Sequence, residues 1–386
     1  MLNSRIQRVQ ESFFTPVMHH HQHSKTLSFC AHTRFNLSQV DRVVINVPAT
    51  SANLGPGFDS FGFALDVWNR VIVERSDKFS MTITGEGADR LDTSEKNIVP
   101  KMCKRALETL GLSMPPLRFE CQNAVPPTRG MGSSSAALVA GLAAGLAIGG
   151  KDMSTPATKK LLLQLAAEAE GHADNVAPAI YGGFQIAFAA KHPSGGEQWI
   201  TQRVQLPSGM QCVLFIPDDE MSTKEARAAL PPHLTYKDAV HNIARASMLV
   251  NCFATAQFDP LRYAMEDRLH QPYRTHMFPY DPFIETALTA GAHGAFLSGA
   301  GPTILAIAGG VGVADVGSDT MSQFLAEAVS ESMLQKGDEM NTPGTVHITT
   351  PIDAGFNSIG FAKNGSVLWS DIQGGGGTPV KRGISG

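Results

Sequence analysis

Apolar residues follow two rhythms along this chain, and the rhythm changes at glycine and proline. Residues 67–74 and 79–84 alternate apolar and polar side chains, the two-residue period of half-buried strands. Residues 43–47 and 117–121 are shorter apolar runs that also predict strands. Residues 97–110 carry helical spacing that stops at Gly111. Residues 136–148 are small and apolar on every side, which predicts a buried helix; the run is too short to span a bilayer and glycine interrupts it. Thr155-Pro156 opens another helix, running to about Glu170. Residues 48–59 are too rich in glycine, proline and small polar residues for regular structure, and read as a loop.

Gly182-Gly183 precede a strand at 184–189, and strands follow at 201–206 and 211–216. Helical patterns cover 223–230, 236–256 and 282–290. Two apolar strands, 295–298 and 303–307, flank Gly299-Ala300-Gly301-Pro302. An amphipathic helix at 321–335 and a last strand at 345–349 complete the pattern. Strands and helices do not alternate with the regular spacing of a doubly wound parallel sheet, so the expected class is α+β with two layers.

The 386 residues allow two domains. Residues 191–198, with Pro193, Gly195 and Gly196, are the expected boundary between domains at 41–195 and 200–373. Residues 1–40 hold Arg5, Arg8, Lys25 and Arg34 against the single acid Glu11, among many Ser, Gln and His. Such a leader reads equally as an organelle transit peptide or an untargeted disordered tail, so the expected location is cytoplasmic, or plastid or mitochondrion if the leader is a transit peptide. The histidines at 19–21 and 23 carry little as metal ligands in such a segment. The glycine-rich tail 374–386 is expected to be disordered.

Hydrophobic content of 43% and charged content of 17% place the chain among globular proteins. A net charge of −4, from 31 basic and 35 acidic residues, gives no sign of a nucleic-acid or membrane-surface partner. The five cysteines are widely spaced with no Cys-x-x-Cys pair, which argues for a reducing compartment and against disulfides or a zinc site.

The stretch Pro126-Pro127-Thr128-Arg129-Gly130-Met131-Gly132-Ser133-Ser134-Ser135 empties into the 136–148 helix. A glycine–serine loop at a helix N-terminus presents unpaired amides and partial positive charge, which attract phosphate. The loop is neither a Walker sequence nor a dinucleotide fingerprint, and a plain capped helix after a flexible loop would give the same local sequence.

Three segments together resemble the signature motifs of the GHMP small-molecule kinases: 47–59 (Val-Pro-Ala-Thr-Ser-Ala-Asn-Leu-Gly-Pro-Gly-Phe-Asp), 127–137, and 298–303 (Ser-Gly-Ala-Gly-Pro-Thr). The first motif, with 172–179 (His-Ala-Asp-Asn-Val-Ala-Pro-Ala) and Gly182-Gly183, is similar to the members that phosphorylate homoserine. The likeness covers about 41–350; Met131 stands where the family usually has leucine. It implies a ribosomal protein S5-like N-terminal domain, a ferredoxin-like C-terminal domain, and a cleft where ATP and substrate meet. The implied reaction moves the ATP γ-phosphoryl group to the hydroxyl of L-homoserine, giving O-phospho-L-homoserine for threonine synthesis, with Mg2+.

The resemblance also implies a site. ATP contacts fall on Asn97, Pro127, Arg129, Gly130, Met131, Gly132, Ser133, Ser134, Ser135, Ala136, Gly299 and Gly301. Mg2+ needs hard oxygen ligands, implied as Ser134 and Glu168 with Glu170 as the rival. Arg227 and Arg274 match a clamp for the substrate carboxylate, which guanidinium binds bidentately. Thr223 precedes Arg227 in the same segment, and Asn53 and Asp59 can meet an ammonium group. His172, Asp174 and Asn175 fall at the substrate hydroxyl as catalytic residues, with Asp174 as general base or as an orienting group left open. The expected partner is the small-molecule substrate; a homodimer stays open, and nucleic acid and membrane are not expected. The alternatives are another GHMP kinase or a non-catalytic member that binds nucleotide or metabolite.

Overall fold

The computed structural model describes residues 40–310 and 318–371. The expected leader, apart from Val40, and the glycine-rich tail lie outside the described residues. Val40 itself is buried at 2% exposure, and its carbonyl accepts from Arg75 Nε at 2.9 Å, so the folded chain begins before Asp41.

In chain order the elements are β1 Arg42–Ala52, β2 Phe61–Arg75, β3 Ser80–Gly85, α1 Ile98–Thr109, β4 Leu117–Asn123, α2 Ser133–Ile148, α3 Pro156–Glu170, α4 Val176–Tyr181, β5 Phe184–Lys191 and β6 Glu197–Val204. The second half runs β7 Met210–Pro217, α5 Thr223–Ala228, α6 Tyr236–Thr255, α7 Leu261–Ala264, a 3-10 turn Gln271–Tyr273, α8 Asp281–Thr289, β8 Gly294–Leu297, β9 Ile304–Gly309, α9 Ser318–Glu339, β10 Gly344–Thr349, β11 Asn357–Phe361 and β12 Val367–Ser370.

An eight-stranded sheet has the order β12-β11-β1-β2-β4-β3, with β5 on the first residues of β2 and β6 on β5. The long β2 thus serves two neighbours: Phe61–Phe63 pair with β5, and Arg70–Arg75 pair with β4. A four-stranded antiparallel sheet has the order β10-β7-β9-β8. These are the α+β layers the pattern predicts.

Three expectations change. Residues 191–198 are not a domain boundary but the turn of the β5–β6 hairpin, because a glycine-bearing turn and a linker share one composition. The strand β1 runs on to Ala52, through half of the expected loop, because Ala49–Ala52 find partners in β2 past a bulge at Pro48/Ala49. Residues 345–349 are not the last strand: β11 and β12 follow and return to the first sheet.

The core explains why α2 is apolar all round. Every residue from Leu138 to Ile148 is buried, among α1, α3 and the strands β1, β2 and β4. The small sheet shows the two-residue period: Val213 and Phe215 face α8 and α9 beside Phe283, Val329 and Met333. Cys212 and Leu214 face the other way, into a core shared with Phe63, Leu65, Met131 and Phe253. That shared core holds the two sheets together beside the glycine-rich loops. Cys103, Cys121, Cys212 and Cys252 are buried free thiols, and no described helix is long and apolar enough to cross a membrane.

Candidate active site

The glycine–serine loop is entered from a fixed point. Asn69, buried in β2, accepts from the amides of Ala124 and Val125 at 2.9 and 3.0 Å. Gly132 then turns into α2 with φ of 67°, where a side chain would strike the Thr50 hydroxyl. No side chain caps α2, so its N-terminus keeps its attraction for an anion. Ser134 is exposed there, while Ser135 is buried and donates to Glu170 Oε1 at 2.6 Å. Glu170 Oε2 is buried without a hydrogen-bond partner among the described residues. Burial lifts the Glu170 carboxyl above its ordinary range, and the charge on His172 and the Ser135 hydrogen bond only partly offset this.

The turn between β8 and β9 closes on this region through the Ser298 hydroxyl and the Gly299 amide. Ser298 donates to the Gly130 carbonyl and meets Ser51 Oγ, each at 2.7 Å, and the Gly299 amide donates to the Ala52 carbonyl at 3.1 Å. A Cβ on Gly130 would overlap the Ser298 carbonyl, which accounts for the paired glycines. Arg129 adds a tie by donating to the Pro217 carbonyl at the end of β7.

Beyond α3, His172 Nδ1 lies 2.5 Å from Asp174 Oδ1, which also accepts from the Asn175 amide at 2.9 Å. Asn175 in turn accepts from Thr50 Oγ1 at 2.7 Å. Burial works against a charge on His172, but the hydrogen bond and negative charge of Asp174, with Glu170 and Asp59, raise its pKa to about 9. The ring is therefore an imidazolium at neutral pH. Asp59, His172 and Asp174 converge, with one polar atom of each within 4.8 Å of the others.

The two arginines sit on the opposite wall. Arg227, on α5, forks onto Asp59 with 2.9 and 2.7 Å contacts, which raises its pKa further. Arg274 is 3% exposed; its Nε donates to the Ala226 carbonyl at 3.2 Å and its Nη1 to the Gly299 carbonyl at 3.1 Å. Burial and the nearby Arg227 charge lower its pKa to about 10, so it stays cationic at neutral pH. One cleft is lined by Ser133–Ser135, Glu170, His172, Asp174, Asp59, Arg227 and Arg274 together. An anion-binding helix end, an unsatisfied carboxylate and two guanidiniums in one cleft suit a substrate bearing phosphates on one side and a carboxylate on the other.

Comparison with known proteins identifies the family. Residues 97–183 match the GHMP kinases N terminal domain, and residues 254–333 match the GHMP kinases C terminal domain. The homoserine kinase of Desulfitobacterium hafniense is 38% identical over 293 residues, spanning 76% of this chain and 91% of that protein. The chain belongs to the GHMP kinase family. The homoserine kinase of Moorella thermoacetica is 40% identical over 268 residues, 69% of this chain and 88% of that one. The crystal structure of homoserine kinase from Cytophaga hutchinsonii superposes with a TM-score of 0.69 at 29% identity, covering 86% of this chain and all of that one. A mevalonate kinase from L. major shares the fold at a TM-score of 0.55 and 14% identity, over 80% of this chain and 96% of that one.

Within this GHMP kinase, the cleft gathers Asn53, Asp59, Arg129, Gly130, Gly132, Ser133, Ser134, Ser135, His172, Asp174, Asn175, Thr223, Arg227, Arg274 and Gly299. Other expected residues stand back from it. Asn97 caps α1, accepting from the Val99 amide at 2.9 Å and donating to the Asp92 carbonyl at 2.6 Å. Met131 and Ala136 face the cores, and Pro127 is buried behind the loop; Gly301 backs Gly130. Asn53 is in the cleft, but its Nδ2 donates to the Gly299 carbonyl at 2.8 Å and its Oδ1 accepts from the Asp59 amide at 3.1 Å, so its amide is a brace. Glu168 is corrected: its carboxylate is exposed outside the cleft and pairs with Arg105 at 3.2 Å, whereas Glu170 faces in. Phe58, Thr128 and Met221 line the cleft without having been singled out; Phe58 lay inside the first motif, and its apolar character alone gave no sign of a role.

Proposed function

We propose that this GHMP kinase is a homoserine kinase, transferring the ATP γ-phosphoryl group to the hydroxyl of L-homoserine to give O-phospho-L-homoserine for threonine biosynthesis. The observation that carries the substrate is the pair Arg227 and Arg274 beside the carboxylates of Asp59 and Asp174. A zwitterionic amino acid presents both charges that this wall complements, and the homology to proteins named homoserine kinase selects the hydroxyl-bearing one.

Phosphoryl transfer needs placement and charge stabilisation more than covalent participation. In this reading the amides of 130–135 hold the phosphates at the end of α2. Arg274 and Arg227 hold the amino acid by its carboxylate, and Asp59 turns to the ammonium group as Arg227 engages the substrate. His172, already protonated, has no lone pair with which to accept a proton, so Asp174 is the acceptor facing the hydroxyl. His172 holds that carboxylate in place and lends it positive charge. The residues also fit a Mg2+ ion: Glu170 Oε2 is a buried oxygen without a partner among the described residues, and Ser134 offers a hydroxyl at the same end of α2. When bound, Mg2+ would offset the charge on the triphosphate oxygens. Ser134 and Glu170 are the assigned ligands, replacing Ser134 and Glu168.

The test is ADP release by the full chain with homoserine, mevalonate, galactose and shikimate offered separately. Homoserine is expected to give the highest specificity constant. No release above the ATP-only background with homoserine, in a folded sample, would overturn the proposal.

A further inference from the structure

His270 belongs to no motif, yet it is fully buried and lies behind the substrate wall. Its Nε2 is 2.8 Å from the Gly55 carbonyl, and its Nδ1 is 2.9 Å from Arg274 Nη1. Those partners define its proton. A carbonyl only accepts, so Nε2 carries the hydrogen; a guanidinium only donates, so Nδ1 offers its lone pair. The ring is neutral, and burial favours the same state.

The surroundings leave the ring little freedom. Phe58 stacks on it at 5.2 Å and 25°. Asp267, itself held by the amides of Leu269, His270 and Gln271 and by Asn242, lies 3.5 Å from Nε2. Through this ring the first loop, at Gly55, is connected to Arg274 on a segment more than two hundred positions away.

Among the described residues, Arg274 hydrogen-bonds no carboxylate. Its Nε and Nη1 are held by two carbonyls and this imidazole, from three separate segments. A guanidinium fixed on neutral acceptors keeps its full charge for an incoming anion, which a resident carboxylate would have cancelled. Arg227, by contrast, is already paired with Asp59.

We infer that His270 is a positioning residue for substrate recognition: its neutral imidazole, anchored on Gly55, accepts from Arg274 and fixes the guanidinium at the substrate carboxylate. The inference rests on the homoserine kinase reading for the identity of that carboxylate. Losing one charge-assisted hydrogen bond corresponds to roughly a tenfold change in an equilibrium constant or more.

The experiment compares His270→Gln, His270→Asn and Arg274→Lys in the full chain. Glutamine can keep the Gly55 contact, while asparagine can return an acceptor at the position of Nδ1. His270→Gln is expected to raise the homoserine KM about tenfold with the ATP KM unchanged, and His270→Asn to recover most of the loss. In the His270→Gln, Arg274→Lys double variant the effects should not add, because both remove the same interaction. Equal rises in both KM values, an unchanged homoserine KM, or additive effects would overturn the inference. If the glutamine variant does not fold, the same comparison is made with His270→Leu, which removes both ring nitrogens and must then raise the homoserine KM alone, with His270→Asn still near wild type. Arginine 15N NMR of the unliganded protein supplies a readout independent of substrate. A separate Arg274 Nη1 signal is expected in the wild type and its averaging with Nη2 in His270→Gln; an unchanged spectrum counts against the role even if homoserine proves not to be the acceptor.

Discussion

Two glutamates two positions apart on α3 point about 200° apart around the helix, since each residue advances the direction by roughly 100°. Glu168 meets Arg105 on α1 in solvent, and Glu170 meets Ser135 inside the cleft. Glu170→Gln is therefore expected to lower kcat by at least roughly a hundredfold, the scale of losing a charged group that acts on the transition state. Glu168→Gln should stay near wild type; steady-state kinetics at saturating Mg2+ decide, and the reverse ranking would return the ligand to Glu168. The candidate residues of the site could be named in the sequence only through the likeness to the GHMP kinase motifs, since either arginine alone reads as a surface charge. Which carboxylate faces inward was not legible, because that depends on the partner helix. The His172 charge state was equally hidden, since it comes from Asp174, Glu170 and Asp59 converging in space. His172 holds its proton up to about pH 9 in the folded chain against an ordinary value of 6.5. The native state thus binds this proton more tightly, so the pair's proton-linked stability is complete below about pH 6.5 and is lost as pH rises through about 9. The melting-temperature gap between wild type and His172→Gln should narrow from pH 6 to pH 9.5; a gap that widens would mean the ring is neutral.

At the scale of elements, long periodic segments were readable, and so were short ones with a clear pattern such as α5 and β8, but not every short helix. The helices α2, α3 and α6 have the apolar content, caps or length that a sequence displays, whereas α4 and α7 span six and four residues and exist because neighbours hold them. In α2 the glycines carry a packing message that helix propensity contradicts. An alanine at 145 would place its methyl 2.7 Å from Ala106 Cβ and into the Cys103 carbonyl on α1; one at 141 would meet the Val99 carbonyl. Alanine gains about 1 kcal/mol of helix propensity over glycine, but overpacking a filled core typically costs ~1–3 kcal/mol, and here the obstacle is backbone. Gly145→Ala is expected to lower the melting temperature, and α1 and α2 would have to separate to admit it. An increase, read by thermal unfolding followed by circular dichroism, would show that the helices have room to move.

For the whole molecule, the topology departs most from what the chain suggests. Glycines at 195 and 196 mark a hairpin, and the true return to the first sheet comes with β11 and β12, short strands that follow an irregular stretch. Nothing local announces that residues 357–361 pair with β1, because the partner lies at the opposite end of the chain. Phe356 completes the first core, and its amide bonds the Ala179 carbonyl on α4 at 2.8 Å. Removing 357–371 should lower the melting temperature and soluble yield, since it strips one side of β1. A truncated chain with wild-type stability would show that the first sheet closes without them.

The same pairing has a consequence for how the protein is made. Asn46 and Asn357, 311 positions apart in sequence, face each other across β1 and β11. At synthesis rates of about 5–20 residues per second, a ribosome leaves that edge of β1 waiting for roughly 15–60 seconds. An unpaired edge strand is an open template for another chain. The glycine–serine loop, α2 and most of their core leave the ribosome long before the strand that seals them. Nascent chains arrested near residue 350 should therefore be cut by protease around β1, and chains carried past residue 371 should resist. Birth order, in this protein, runs against the order in which its first sheet can close.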